Sequence, residues 1–441
     1  MLTNELNTIF LCFSPFLDTK TYRQLFLITQ ALLAMTGRIT MLNISRWAGK
    51  GASYRTIQRF FSSQIPWESL HWAIIRKVLL TKTPAEIVVA GDATTVLKSG
   101  HQTFGLGKFF SSIHSRAVKA LAFQTLSLLD VNQRKSWPII VKQILPVTKE
   151  KQPLANLETK PKRGRGRPKG SQNKNQRQVQ LSLEMKQIQN MLLKLLKMLD
   201  GVVVLTHFVY DGAFGNNAAV QMTTQVGLHL ISKLRCDSSL YFQWNGGYSG
   251  RGRRRIYGDK IDYGNLPCAY LHSDQTEQNI RTRIYQMRVR HKKFADQLNV
   301  VIIIKQDLKT GKKGRVILFT TDLLLSWEKI IQYYRLRFQI EFNFRDAKQH
   351  WGLEDFMVVK EESVINSANL SLFMVNISQV MVARMGEERE SILDLKASYH
   401  GLRYAEELLK LLPQNIQAIN INQILQRLPV LGRIHRHSIV I

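Results

Sequence analysis

Four side chains of different chemistry occur at defined spacings in the segment YYRLRFQIEFNFRDAKQHW. They are Tyr334, Arg337, Glu341 and Lys348, and successive members are three, four and seven residues apart. A helix advances about 100° per residue, so one continuous helix would place all four within a sector of roughly 60°. An aromatic ring, a guanidinium, a carboxylate and an ammonium on one stripe suit a phosphate and the metal ion that neutralises it.

A second stripe of the same predicted helix is apolar and lies about a quarter-turn away. Its members are Leu336, Ile340, Phe344, Ala347 and Trp351. A buried stripe beside a charged one would hold the charges at the edge of a core. For Trp351 we predict core packing rather than a place in a site. The alternative for the whole segment is an exposed amphipathic helix with ordinary solvated charges.

Two aspartates follow apolar segments that predict buried strands. Asp92 ends IVVAGD and Asp211 ends VVVLTHFVYD. A carboxylate at the end of a strand is held rigidly at a sheet edge, and Glu341 comes from a helix that could pack across that sheet. Three such groups could hold two Mg²⁺ ions about 3.5–4 Å apart, the arrangement used for in-line displacement at phosphorus. Taken alone, either aspartate would suit a turn or a helix cap better than a metal site.

The elements that must position these residues are helical first and then mixed. Asp18 or Thr19, Thr40 and Ser53 predict the N-caps of three helices. Next come strands at EIVVAGD, 118–129 and 137–147, a helix over 181–199, the strand GVVVLTHFVYD, a helix over 216–225 and the strand HLISKLR. This order matches the α/β ribonuclease-H-like fold, a mixed sheet flanked by helices, with a final helix over about 325–351.

The same reading divides the chain into five segments. We expect a helical DNA-binding domain at 1–84, the first part of a catalytic core at 85–235, a β-rich insertion at 236–321, the final core helix within 322–357 and a helical C-terminal region at 358–441. In SYRTIQRFFSS, Ile57 and Phe60 can pack inward while Arg55 and Arg59 point outward, as in a recognition helix of a helix-turn-helix unit. A plain helical bundle with a basic surface fits this pattern equally well.

The charge of the chain indicates a polyanionic partner. The sequence carries 62 Lys and Arg against 32 Asp and Glu, a formal charge of +30, which favours nucleic acid. No apolar run reaches the roughly 18 residues of a membrane span. The N-terminal segment has no basic region before its apolar residues and no evident cleavage site, so we do not expect secretion. The three scattered cysteines predict neither a disulfide framework nor a zinc site. We therefore expect a cytoplasmic, nucleoid-associated protein with no membrane contact.

Basic clusters supply candidate DNA contacts. The segment KPKRGRGRPKGSQNKNQR contains an RGRP core, Arg165 to Pro168, that resembles an AT-hook for a narrow minor groove. A loop that binds phosphate without reading sequence is the alternative. A second cluster lies in the expected insertion. From these two clusters we predict that DNA is contacted by Arg165, Arg167, Arg253, Arg254 and Arg255.

The fixed spacing of Tyr, Arg, Glu and Lys resembles the YREK signature of bacterial insertion-sequence transposases of the DDE superfamily, the insertion-sequence-4-like group. The segments GDATTVLKSG and YDGAFGNN resemble the regions around the first two catalytic aspartates of that group. The resemblance implies that Asp92, Asp211 and Glu341 are catalytic and bind two Mg²⁺ or Mn²⁺ ions. It also implies that DNA near the scissile phosphate is contacted by Tyr334, Arg337 and Lys348.

The function implied by this resemblance is cut-and-paste transposition. Water would hydrolyse a strand at the element end, and the released 3′-hydroxyl would attack the opposite strand or the target. The partners would be double-stranded DNA, with terminal inverted repeats and target, and a second copy of the chain in a homodimer. Two alternatives remain open: a metal-dependent DNA nuclease without strand transfer, and a non-catalytic architectural protein that binds DNA.

Overall fold

The structure, a computed structural model, describes residues 2–49, 51–79, 86–111, 114–146, 176–248, 250, 252, 254–385 and 391–411. Its helices in these ranges are α1 (Leu2–Phe10), α2 (Thr19–Ala34), α3 (Met41–Trp47), α4 (Tyr54–Phe61), α5 (Trp67–Leu79), α6 (Leu183–Leu199), α7 (Asn217–Gln225), α8 (Trp327–Leu336), α9 (Gln339–His350), α10 (Glu361–Met385) and α11 (Ile392–Leu411). Its strands there are β1 (Ile87–Leu97), β2 (Gly107–Ser111), β3 (Arg116–Asp130), β4 (Lys135–Ile144), β5 (His207–Val209), β6 (His229–Leu234), β7 (Leu240–Gln243), β8 (Tyr257–Lys260), β9 (Leu271–Glu277), β10 (Ile280–His291), β11 (Leu298–Asp307) and β12 (Lys313–Thr320).

These elements form two compact units. The first unit is built from the described parts of Met1–Glu86, Asp92–Ile144 and Gln339–Ile441. The second unit is built from those of Ile87–Gly91 and Leu145–Phe338. Strand β1 is divided, because its first five residues belong to the second unit and the remainder, from Asp92, to the first.

The N-terminal part of the first unit is helical, as the capping residues predict. Asp18 accepts a hydrogen bond from the backbone N–H of Thr21 at the start of α2, at 2.9 Å. Thr40 and Ser53 cap α3 and α4 in the same way. Each cap satisfies a backbone N–H that the first helical turn leaves unbonded. The three predicted helix starts are confirmed.

The rest of the first unit is an antiparallel group of strands covered by helices. β3 pairs with β2 on one side and with β4 on the other. α10 is buried along most of its length and packs against β4, α5 and α9. α11 packs against α2 and α10. The C-terminal region is therefore helical over its described residues, as expected, and forms part of the core.

The second unit contains a mixed sheet. β1, β5 and β6 are parallel, and β12 then joins β6 in the antiparallel direction. β11 and β10 follow, and β10 also pairs with β7 and β9. The segment expected as a β-rich insertion is indeed rich in strands. They continue the sheet from the edge of β6, because β12 hydrogen-bonds directly to that strand.

The predicted fold class is confirmed: a mixed α/β architecture with helical N- and C-terminal regions, consistent with a ribonuclease-H-like fold. Two features of the strands differ from the sequence predictions. The expected strand GVVVLTHFVYD is shortened to β5. The apolar residues that precede β5 form a connection, in which Val204 is 85% exposed. β2 was not expected. No helix among the described residues is long and apolar enough to cross a bilayer.

Candidate active site

Asp92 lies within a strand and not at its end. β1 continues to Leu97, because Thr94 and Val96 are buried while Ala93 and Leu97 are exposed, the period-two pattern of a half-buried strand. The expectation that the strand ends at Asp92 is wrong. The carboxylate accepts a hydrogen bond from the N–H of Ala93 at 2.8 Å.

The backbone at Asp92 is held by the neighbouring strand. The side chain of Gln124 on β3, fully buried, donates from Nε2 to the carbonyl oxygen of Asp92 at 3.0 Å. A buried amide bonded to the backbone fixes the strand where the carboxylate leaves it. Asp92 itself is half-buried.

Asp211 stands two residues beyond β5, in a tightly fixed turn. Its side chain accepts from the N–H of Ala213 at 3.0 Å and caps the 3-10 turn Gly212–Phe214. Its carbonyl oxygen accepts from the hydroxyl of Ser232 on β6 at 2.5 Å. A Cβ at Gly215 would collide with the carbonyl oxygen of Lys233. The turn therefore lies directly against β6. Asp211 follows the buried strand β5, but that strand ends at Val209 and not at Asp211 as predicted.

The pairing of β1 with β5 relates the two aspartates in register. Val89 pairs with Phe208, and Ala90 pairs with Val209, in parallel. Asp92 is the second residue after Ala90, and Asp211 is the second after Val209. Each aspartate thus comes two residues after the last pair of the β1–β5 ladder.

The YREK segment is not one continuous helix. α8 ends at Leu336 and α9 begins at Gln339, with a turn at Arg337 and Phe338 between them. The expectation of a single helical stripe is wrong, because the N–H of Phe338 bonds to the carbonyl of Arg335 at 3.1 Å and closes a tight turn. Tyr334 and Arg337 belong to the second unit, and Glu341 and Lys348 to the first. The apolar stripe is nevertheless buried, Trp351 included.

α9 is fixed in the first unit by apolar and polar contacts. Ile340, Phe344 and Ala347 are buried. Asn343, only 3% exposed, donates from Nδ2 to the hydroxyl of Ser136 on β4 at 2.7 Å. These contacts set the rotation of the helix about its axis, and Glu341 lies half-buried on its first turn.

Lys348 is engaged within the protein. Its ammonium donates to the carbonyl oxygen of Thr95 on β1 at 2.8 Å and pairs with the carboxylate of Glu354 at 3.2 Å. The bond to Thr95 ties α9 to the half of β1 that begins with Asp92. The predicted DNA contact at Lys348 remains a prediction.

The remaining residues predicted to contact DNA differ in their exposure and in their contacts within the protein. Tyr334 and Arg337 are half-buried. Arg254 is exposed, whereas Arg255 donates to the carbonyl of Tyr257 at 2.8 Å and places its guanidinium 3.9 Å from the centre of the Trp244 ring. Three others lie outside the described residues: Arg165, Arg167 and Arg253.

The donor chemistry of the three predicted catalytic residues suits a hard divalent cation. Among the described residues, no three His, Cys, Asp or Glu side chains form a group that could hold a metal ion. Mg²⁺ is often bound by one or two carboxylates, with waters and substrate phosphates as the other ligands. Asp92, within β1, and Asp211, in the turn after β5, each supply one half-buried carboxylate of this type.

Comparison with known families decides the class of protein. The sequence matches the family described as DDE superfamily endonuclease over residues 12–293, more than half of the chain. The chain belongs to this family. The matched region includes Asp92 and Asp211 and ends before Glu341. No curated protein matches the sequence.

Membership establishes a nuclease or transposase type of function with DNA as the substrate, and DDE superfamily endonucleases use divalent metal ions.

Several residues that hold the candidate site in place were not predicted from the sequence. Gly91 could have been identified, because an isolated glycine within a strand pattern indicates close approach of another chain segment. The contacts of Gln124, Ser232 and Asn343 could not, since their hydrogen-bond partners are distant in sequence.

Proposed function

We propose that the protein is a DNA transposase of the insertion-sequence-4-like group that performs cut-and-paste transposition, with Asp92, Asp211 and Glu341 as its catalytic residues. The observation that carries the proposal is the parallel register of β1 and β5. Val89 pairs with Phe208 and Ala90 with Val209, so the segments that lead into Asp92 and Asp211 are neighbours within the second unit.

The link between β1 and α9 supports the place of Glu341. Lys348 bonds to Thr95 at 2.8 Å. Asp92 lies three residues before Thr95, about 10 Å along a strand. Glu341 lies seven residues before Lys348, about 10.5 Å along a helix. Asp92 and Glu341 therefore lie on two segments of the first unit that this contact joins.

In the proposed reaction the three carboxylates would bind two Mg²⁺ or Mn²⁺ ions together with waters and DNA phosphates, since no three such side chains among the described residues form a metal site by themselves. Such ions supply activation of the attacking oxygen and charge stabilisation at the leaving oxygen of an in-line displacement. The protein supplies rigid placement, through Gln124 at Asp92, Ser232 at Asp211 and Asn343 beside Glu341. Fixed ligands reduce the reorganisation that the reaction requires.

DNA binding is assigned to two sets of residues in this proposal. Tyr334 and Arg337 would contact DNA near the scissile phosphate, with Arg337 offering a two-pronged contact to phosphate oxygens. Phosphates farther along the DNA would be met by Arg165, Arg167, Arg253, Arg254 and Arg255. These charges add affinity that falls with salt, and they do not read sequence.

Recognition of terminal inverted repeats is assigned to α4. Its inner residues Ile57 and Phe60 are buried, while Arg55 and Arg59 are exposed. Ser53 caps the helix after a turn in which Gly49 and Gly51 adopt positive φ. This exposed basic face suits a major groove. Two copies of the chain, one on each element end, would act as a homodimer.

Cleavage and joining assays test this function. A duplex carrying the inverted repeat that flanks the coding region, incubated with Mg²⁺ and a supercoiled target plasmid, should be cut at the element end and joined to the plasmid. Asp92→Asn, Asp211→Asn and Glu341→Gln should each abolish cleavage and leave DNA binding largely intact. Matched controls are Asp237→Asn and Glu362→Gln, exposed acids that should retain activity.

Each alternative function has its own outcome in the same assay. Cleavage without joining would replace the transposase by a nuclease. Binding without cleavage, in any divalent metal, would favour an architectural protein. Full turnover in Asp92→Asn, Asp211→Asn or Glu341→Gln would remove that residue from the catalytic set.

A further inference from the structure

We propose that Lys98 is a positioning residue of the catalytic centre, which together with Lys348 ties the strand of Asp92 to the helix of Glu341. This inference rests on the proposed function and adds a residue outside the YREK signature. All groups in the argument belong to the first unit. Lys98 follows directly after β1, six residues beyond Asp92.

The ammonium of Lys98 is held by the segment that follows α9. It donates to the carbonyl oxygen of Glu354 at 3.0 Å and to that of Phe356 at 2.6 Å. It also lies 3.6 Å from the centre of the Phe356 ring. Two carbonyl groups and one aromatic face form a specific seat for a cation.

Lys348 connects the same two segments in the opposite direction, from α9 to β1. It starts on α9 and bonds to Thr95 on β1 at 2.8 Å, and it pairs with Glu354 at 3.2 Å. Each lysine therefore lies on one segment and bonds to the other. Glu354 contacts both lysines, Lys98 through its carbonyl oxygen and Lys348 through its carboxylate. A backbone bond from the N–H of Phe104 to the carbonyl of Val359, at 2.9 Å, joins the continuations of the same two segments.

A crossed pair of long side chains restricts sliding better than either contact alone. A shift of α9 along β1 that preserved one lysine's bonds would stretch those of the other. Burial opposes the charge of Lys98 and lowers its pKa to about 8, despite the nearby carboxylates of Asp355 and Glu354. Replacement by an apolar side chain would leave two carbonyl groups without their shared donor.

The functional consequence concerns the placement of two carboxylates. Asp92 and Glu341 lie on the two tied segments, and catalytic groups must be held within about 0.5 Å of their productive geometry. A misplacement of about 1 Å can slow a reaction roughly 100-fold. Lys98 bonds to protein carbonyls rather than to DNA, so its loss should reduce the rate of cleavage and leave DNA affinity unchanged.

The test compares Lys98→Met with Lys142→Met. The control removes the same charge from a more exposed lysine of the first unit, which pairs with Glu68 at 3.0 Å. Single-turnover cleavage is measured at saturating DNA, with DNA affinity and Mn²⁺ binding followed separately by titration and by electron paramagnetic resonance. Lys98→Met should slow cleavage about 10- to 100-fold, weaken Mn²⁺ binding and leave DNA affinity as in the control. Lys98→Arg should recover part of the rate.

Other outcomes overturn the inference. Wild-type cleavage by folded Lys98→Met would show that the tie does not position the site. Weaker DNA binding with a normal rate at saturation would make Lys98 a DNA contact. Should Lys98→Met fail to fold, Lys98→Ser leaves room for water at the two carbonyl groups but is too short to reach them, and an unchanged rate in that variant would also reject the proposal.

Failure of this inference can be told from failure of the proposed function. If Asp92→Asn abolishes cleavage and Lys98→Met does not slow it, the proposed active site is retained and only the positioning role of Lys98 is rejected. If Asp92→Asn cleaves normally, the proposed active site itself is wrong.

Discussion

A Cβ atom added to Gly91 would lie 2.7 Å from Cε2 of Tyr210. These two residues immediately precede Asp92 and Asp211 in the sequence. The Tyr210 ring is stacked on Phe214, with ring centres 3.8 Å apart and planes inclined by 25°, so it cannot readily turn away. The absence of a side chain at Gly91 is therefore what lets the two parallel strands approach where the aspartates follow.

Gly91→Ala should destabilise the second unit by about 1–3 kcal/mol, since an added methyl forces packed side chains from their positions. Urea unfolding would measure the change, and cleavage should fall with it. Gly247→Ala is the control, because a Cβ there meets nothing within 4 Å. Tyr210→Leu combined with Gly91→Ala should recover part of the lost stability. Equal stability of the two alanine variants would mean that the close approach is absent.

Lys348→Met distinguishes a role within the protein from a role on DNA. Loss of one phosphate contact should reduce the slope of log affinity against log salt by about 0.9. A role within the protein, through the bonds of Lys348 to Thr95 and Glu354, predicts an unchanged slope and a slower cleavage rate. A salt titration of DNA binding gives the slope. A reduced slope with a normal rate would restore Lys348 as a DNA contact.

The sequence predicted this fold well where the signal was local. Capping side chains located the starts of α2, α3 and α4, and the strand predicted over 118–129 lies within β3. It failed where a local pattern was weak or ambiguous. A carboxylate within β1 was taken for the end of a strand, although burial of Thr94 and Val96 continues the strand beyond it.

The contacts that support the candidate site could be predicted only in small part. The spacing of Glu341 and Lys348 identified a chemically informative segment, but the turn at Arg337 divides it. Lys98 reaches the carbonyl oxygens of Glu354 and Phe356, more than 250 positions away. A lysine's ability to donate is evident from its type, whereas its acceptor depends on how distant segments pack.

Asn343→Leu should both destabilise the first unit and slow cleavage. The buried amide donates to Ser136 at 2.7 Å and accepts from Gln379 at 3.3 Å. Its loss should cost about 1–3 kcal/mol, because buried polar partners are left without their bonds. Gln349→Leu, on an exposed position of α9, is the control. Thermal unfolding and single-turnover cleavage measure the two effects, and a normal cleavage rate would show that Asn343 does not position Glu341.

Acid should destabilise the first unit through His71. This side chain is fully buried, accepts a hydrogen bond at Nδ1 from Asn376 at 2.9 Å, and contacts the Phe373 ring. Burial lowers its pKa from 6.5 to about 4. Between those values the unfolded chain binds a proton that the folded chain does not, so stability falls as pH drops from 6.5 to 4, by about 3 kcal/mol in total.

Unfolding free energy measured across this pH range checks the effect of His71. His71→Phe should flatten the slope, because no titrating group remains at the buried position, even if its absolute stability differs from that of the natural chain. His101→Phe replaces an exposed histidine of the same unit and should keep the natural slope. If His71→Phe loses stability with acid as steeply as the natural chain, another group controls the acid transition, and burial of a neutral His71 is not its cause.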